Sequence, residues 1–305
     1  RALDDALLDL ERRGLGIDAP WGALHRLTLR HPLGTVPLLG GILNRGPLAY
    51  PGSTFTPASG QYSHARPAAV TSGASYRHVI DLADMERARN EGKLAVMHNF
   101  QSMMPLGEDL TNLRTFYDLG LRQLNFTYNI DTPYADGGVS NDDGTDQGVH
   151  PPGAAVVKEM NRLGIVVDCS HSSDRTCIEA AALTRKPMMM SHSNLMTYQP
   201  IGRNVSDEAV KAVAATGGVI CVNFIGGFLN PQGLARPYDI AKHVQYIRNL
   251  VGPEAVCHGS DYVYNYADTL LWILRNPKNF PIEMGYATPS HMGKPGEVWG
   301  VVREL

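Results

Sequence analysis

From residue 85 onward the chain alternates short apolar runs with amphipathic helical stretches, and no other feature narrows the possible folds as far. Strand-like runs lie at 93–100, 122–128, 164–170, 187–191, 218–224 and 255–260. Between them, apolar residues recur at helical spacing: Leu110, Leu113 and Tyr117 within 108–119, and Val156, Met160 and Leu163 within 153–163. Ser206 followed by Glu208 marks the start of a helix over 206–216, and 239–250 supplies another. Strands separated by helices in this order build a parallel α/β architecture.

Six such units suit either an open doubly wound sheet or most of an eight-stranded barrel. The strand ends favour the barrel. Polar residues of metal-ligand or acid–base type recur there: Gln101, Tyr128, His171, His192, Asn223 and Asp261. An open sheet gathers its chemistry at one switch point, whereas a barrel brings every C-terminal strand end around one mouth. The expected fold class is therefore α/β, an incomplete (β/α)8 TIM-type barrel of six strand–helix units.

Residues 1–84 read differently. They are dense in Gly, Pro, Ser and Thr, with one helical pattern over 2–13 and short irregular β segments after it. We expect an irregular α+β segment over 1–84 and the barrel over 85–305. With 305 residues, 43% of them hydrophobic, the chain can fill a sizeable core. A formal charge of −3 gives no broad basic field for nucleic acid or anionic lipid, and no apolar run approaches the roughly 20 residues that span a bilayer. Small or peptide-like partners remain, with room for an oligomer. A soluble chain of either the cytoplasm or the periplasm is compatible with this text. Cys169, Cys177, Cys221 and Cys257 lack CxxC spacing, and three lie in apolar runs, so free buried thiols are expected.

The sharpest local signal is a repeated design. "VVDCSHSS" (166–173) carries an apolar strand into His171, and "PMMMSHSN" (187–194) does the same with His192. A lone histidine is more often a hydrogen-bonded core or surface group than a ligand. The doubled placement raises the metal reading level with that bland one, because two imidazoles and Asp261 from separate strands make a sensible donor set for a divalent cation. Side chains alternate faces along a strand, so if Gln101 and Asp261 face the mouth, His98 and His258 should pack toward the helices. His25, His31, His64, His78, His150, His243 and His291 form no HxH or HExxH arrangement and are read as structural.

Residues 85 to about 305 resemble the membrane (renal) dipeptidase family, zinc peptidases built on (β/α)8 barrels. The matching text is "DLTNLRTFYDLGLRQLNFTYN", "GAAVVKEMNRLGIVVDCSHSS", "KPMMMSHSN", "GRNVSDEAV" and "GSDY". The resemblance implies that His171 and His192 bind one zinc, that Asp261 is a terminal ligand of a second, and that Arg203 takes the free carboxylate of a dipeptide. Gln101 falls where the family has a metal-bridging glutamate, and Tyr128 where its best-known members have a substrate-binding histidine. The family's first-strand His-x-Asp pair does not occur in this sequence. One zinc ion rather than two is thus expected.

The six runs then correspond to the third to eighth barrel strands. Residues 1–84 resemble a fragment of penicillin acylase-type N-terminal-nucleophile hydrolases through "WGALHRLTLRHPLG", "LNRGP" and "SGASYRHVIDLAD", so a junction of two partial genes is expected near 81–85. The leading expectation is a metal-dependent hydrolase of dipeptides or related amides, using metal-activated water and impaired by its missing ligands. The alternatives are a catalytically silent binding or remnant domain, and an acylase fragment. The last would need a nucleophile where Arg1 stands.

Overall fold

The computed structural model describes residues 76–263, 266–286 and 290–305. The helix expected over 2–13 and most of the first segment lie outside these residues. Eight short strands are β1 (Tyr76–His78), β2 (Leu94–Val96), β3 (His98–Phe100), β4 (Leu121–Asn125), β5 (Val166–Asp168), β6 (Met189–Ser193), β7 (Val219–Val222) and β8 (Val256–His258). The order β3-β4-β5-β6-β7-β8 forms one sheet, parallel throughout, and β1 pairs in parallel with β2. All six expected strand regions are present, the first interrupted at Met97. Among the described residues β3 and β8 do not pair, so the barrel is incomplete.

Among the described residues ten α-helices accompany the strands: α1 (Leu82–Asn90), α2 (Thr111–Asp118), α3 (Val139–Asp143), α4 (Pro151–Leu163), α5 (Asp174–Leu183), α6 (Asp207–Ala215), α7 (Gly226–Leu229), α8 (Pro237–Val251), α9 (Tyr266–Leu274) and α10 (Val298–Glu304). Their limits follow from local chemistry. Pro151 and Pro152 open α4 where missing N–H groups cost nothing, and Gly164 at φ 82° closes it. Ser206 caps α6 by accepting from the Ala209 N–H, and Ser173 caps α5 by accepting from Thr176. The longest helix has 15 residues, and none is long and apolar enough to cross a membrane among the described residues.

Alternation along the strands separates two environments. Leu124, Val167, Met190, Ile220 and Val222 join Leu113, Phe116, Val156, Met160, Val210 and Ile240 in the main core between sheet and helices. The neighbouring positions are polar and pair across strands: Gln123 donates to Asp168 (2.5 Å) and Asn125 to the Ser170 carbonyl (3.1 Å). The sheet therefore has an apolar outer face and a hydrogen-bonded inner one.

Helix α1 spans residues 84 and 85, and β1, α1 and β2 form one βαβ unit, tied by Arg77 to Glu91 (2.5 Å) and by the Val79 N–H to the Val96 carbonyl (2.8 Å). Two expectations need revision. The cysteines are paired rather than free: Cys169 with Cys177, and Cys221 with Cys257. Tertiary register brings them together, since Cys221 and Cys257 stand opposite each other in β7 and β8, and sequence spacing does not reveal it. His258 is exposed instead of packing on helices, because β8 is the outermost strand of the unclosed sheet. His98 is buried, but against the ring of His78 on β1 (centroids 4.4 Å apart).

Candidate active site

The ends of β5 and β6 lie side by side but are joined by a single ladder pair, Asp168 with Met189. Beyond it the Asp168 carboxylate replaces the ladder: Oδ1 accepts from Ser170 N (2.8 Å) and Ser191 N (3.2 Å). Each of those residues precedes one histidine of the repeated design. The Ser170 hydroxyl also accepts from the His192 N–H at 3.1 Å. The two strands are thereby clasped just below His171 and His192, whose Nε2 atoms face each other 2.8 Å apart.

Both imidazoles are buried. Burial first, then the charge of Arg203, holds both well below the usual histidine range, so both are neutral at neutral pH. His171 Nδ1 lies 2.7 Å from Asn129 Oδ1, and His192 Nδ1 lies 2.7 Å from the Ser191 hydroxyl. Arg203 Nη2 donates to the His192 carbonyl (2.8 Å) and reaches His171 Nε2 (3.2 Å), while its guanidinium lies over the Phe228 ring at 5.1 Å. Tyr128 stacks on His171, with centroids 4.1 Å apart and planes 23° from parallel.

The remaining sequence-derived residues are spread around this pair. Asp261 follows β8 and accepts from Asn223 Nδ2 at 3.0 Å. Burial pushes its carboxyl up to about 6, against the opposing pull of Arg203 and the Asn223 bond. Gln101 is buried at the end of β3, and among the described residues no hydrogen bond joins it to either imidazole. No third His, Cys, Asp or Glu joins the histidine pair as a metal-holding group among the described residues.

Three non-glycine residues among those described have positive φ: Asn129 (64°), His171 (70°) and Asp261 (51°). Each such residue costs roughly 1–3 kcal/mol and persists only where its surroundings fix it. Asn129 and His171 are bonded to each other, and Asp261 lies in the field of Arg203 beside them. Sequence reasoning passed over Asn129, Asp168 and Tyr286, whose hydroxyl lies 3.0 Å from Asn129 Nδ2. The adjacency of Asn129 to Tyr128 at the end of a strand was the one available sign.

A profile of the membrane dipeptidase family (peptidase family M19) matches residues 60–271. The chain belongs to the membrane dipeptidase family. A penicillin amidase profile matches residues 1–102, overlapping the first over 60–102. An uncharacterised dipeptidase of Schizosaccharomyces pombe is 37% identical over 188 residues, 60% of this chain and 45% of that protein. The dipeptidase aclJ of Aspergillus oryzae is 31% identical over 173 residues, 56% of this chain and 41% of that one. The chain thus spans less than half the length of these relatives. An amidohydrolase structure from Pseudomonas aeruginosa superposes with a TM-score of 0.62 at 27% identity, covering 67% of this chain and 61% of that one.

Membership in the dipeptidase family implies a metal cofactor. The histidine pair fits one cation as two donors. Neutral imidazole is the ligand form, and tetrahedral zinc at 2.0–2.1 Å would need the two nitrogens about 3.3 Å apart, a spread of roughly half an ångström from the observed contact. Catalytic zinc ordinarily has three protein ligands, so the pair by itself is two-thirds of a donor set.

Proposed function

We propose that this chain is a metal-dependent, dipeptidase-like hydrolase of the peptide bond in dipeptides or related amides, with weak or absent turnover. The observation that carries the reading is the 2.8 Å approach of the two imidazole Nε2 atoms beneath a buried arginine. His171 and His192 would hold a single zinc ion. That ion would supply Lewis acidity toward the peptide carbonyl and lower the pKa of attacking water.

The chain's own residues do the rest. Arg203 is held by the His192 carbonyl and the Phe228 ring, so its planar fork is preset for a substrate carboxylate. Tyr128 covers one face of His171 and offers its partly buried ring as a wall for the substrate. Asp261, with its carboxyl near 6, is poised to orient or accept a proton from a polar group at the mouth. Low turnover follows from the amide at Gln101, which brings no negative charge where the resemblance places a bridging carboxylate.

The test is metal analysis of zinc-equilibrated wild type and His171→Ala, together with hydrolysis of glycyl dipeptides. About one zinc per wild-type chain is expected, with the variant metal-free and any hydrolysis abolished. Equal metal contents in the two proteins would sink the ligand assignment.

A further inference from the structure

The proton inventory around His171 is fixed by groups whose roles are not negotiable. Asn129 is fully buried, and its Nδ2 lies 2.8 Å from the backbone carbonyl of Asn279. A carbonyl only accepts, so this contact sets which way the amide points. Oδ1 is then the atom 2.7 Å from His171 Nδ1. An amide oxygen only accepts, so Nδ1 must carry the hydrogen. The other nitrogen gives the same answer independently: Arg203 Nη2, which can only donate, lies 3.2 Å from His171 Nε2.

We propose that Asn129 is a positioning residue that locks His171 as the Nδ1–H tautomer, aiming the Nε2 lone pair at His192, and that the segment 279–286 locks Asn129 in turn. Tyr286 completes the clamp, its hydroxyl 3.0 Å from Nδ2 and 3.1 Å from Oδ1 of Asn129. Both anchors lie beyond residue 271, where the dipeptidase match ends. A buried side chain at φ 64° has no reason to persist there unless these contacts hold it. The consequence for metal binding rests on the dipeptidase reading, whereas the tautomer itself does not.

The two histidines are therefore not equivalent. With a lone pair on His171 Nε2, the 2.8 Å contact requires His192 to donate from Nε2 and its Nδ1 to accept from the Ser191 hydroxyl. Offering a second lone pair to a cation obliges His192 to move its proton to Nδ1, with Ser191 Oγ as the acceptor. His171 needs no such change.

The experiment is long-range 1H–15N correlation NMR on the full chain with 15N-labelled histidine, metal-free at pH 8 and then with added zinc. His171 is expected as Nδ1–H in both states and His192 as Nε2–H before zinc. Asn129→Gly tolerates the backbone conformation while deleting the acceptor. It should lower the Nδ1–H fraction of His171 and weaken zinc binding about 10- to 100-fold, and Asn129→Asp should restore the tautomer. A wild-type His171 found as Nε2–H, or a tautomer unmoved in Asn129→Gly, overturns the proposal. A wild type with the expected tautomer but no zinc binding would instead remove the dipeptidase reading and leave this one standing.

Discussion

His243 offers the clearest quantitative check on the packing around the mouth. It sits on α8 with 1% exposure, accepts at Nδ1 from the Leu195 N–H (3.2 Å) and donates from Nε2 to the Leu229 carbonyl (2.9 Å). Leu195 follows β6 three residues after His192, and Leu229 closes α7, so one ring ties α8 to the segment after β6 and to the end of α7. Only the neutral Nε2–H form can make both bonds, because a proton at Nδ1 would confront another N–H. Burial, foremost, lowers its pKa from 6.5 to about 4. The unfolded chain therefore takes up this proton near pH 6.5, and the folded chain only near 4. The stabilisation is complete above pH 6.5 and is lost as pH falls from there to about 4. A gap of about 2.5 pH units corresponds to about 3 kcal/mol, of which about 2 kcal/mol is gone by pH 5. Urea unfolding of wild type and His243→Gln at pH 8 and pH 5 isolates this contribution. The variant should start about 1–3 kcal/mol less stable through its imperfect hydrogen bonds, yet lose about 2 kcal/mol less than wild type on acidification. Equal losses in the two proteins would refute the argument.

Two further outcomes follow from the core. The cysteine pairs predict that the denatured, unreduced protein shows no free thiol to a maleimide probe and four after reduction, so any labelling of the unreduced chain contradicts the pairing. A Cβ at Gly259 would clash with the carbonyl oxygen of Ser191, the residue before His192. Gly259→Ala should therefore cost about 3 kcal/mol in a denaturation midpoint experiment, at the upper end of overpacking penalties, and a neutral result would show that the backbone after β8 does not approach the Ser191 carbonyl.

The sheet was legible because its strands are buried on both sides and read as apolar runs between helical patterns, which is how parallel architecture appears in sequence. The strand β1 was not, since Tyr-Arg-His offers a single apolar residue, the buried Tyr76, and is held through its pairing with β2. Helix α5 was overlooked although Ser173 and Asp174 supply a start signal, because its alanine-rich text carries few large apolar residues. His171 and His192 were found through the repeated strand-to-histidine design. The left-handed conformations of Asn129, His171 and Asp261 were not marked by glycine, and their residue types, the non-glycine ones that adopt positive φ most often, were too weak a sign to place them. The cysteine partners were hidden for a related reason: Cys221 meets Cys257 through strand register, and Cys169 meets Cys177 through the turn from β5 into α5.

Buried polar side chains are satisfied unevenly across the sheet. Asn99 Oδ1, Gln123 Oε1 and Asn125 Oδ1 are buried without a hydrogen-bond partner among the described residues, and all three belong to β3 and β4. Around β5, β6 and β7 the inner polar side chains bond to one another instead. Asp168 holds two backbone N–H groups, the Ser193 hydroxyl donates to that of Ser170, and Asn194 exchanges bonds with Asn223. A buried amide oxygen left without a donor costs about 1–3 kcal/mol, and Asn204 Oδ1 carries that cost too, while Arg203 Nε is orphaned next to the histidine pair. The imidazole contacts of the histidine pair are nonetheless made locally, by Asn129, Ser191 and Arg203. The pair's geometry therefore does not depend on β3 pairing with β8, and loss of activity would trace to too few metal donors rather than to a displaced pair.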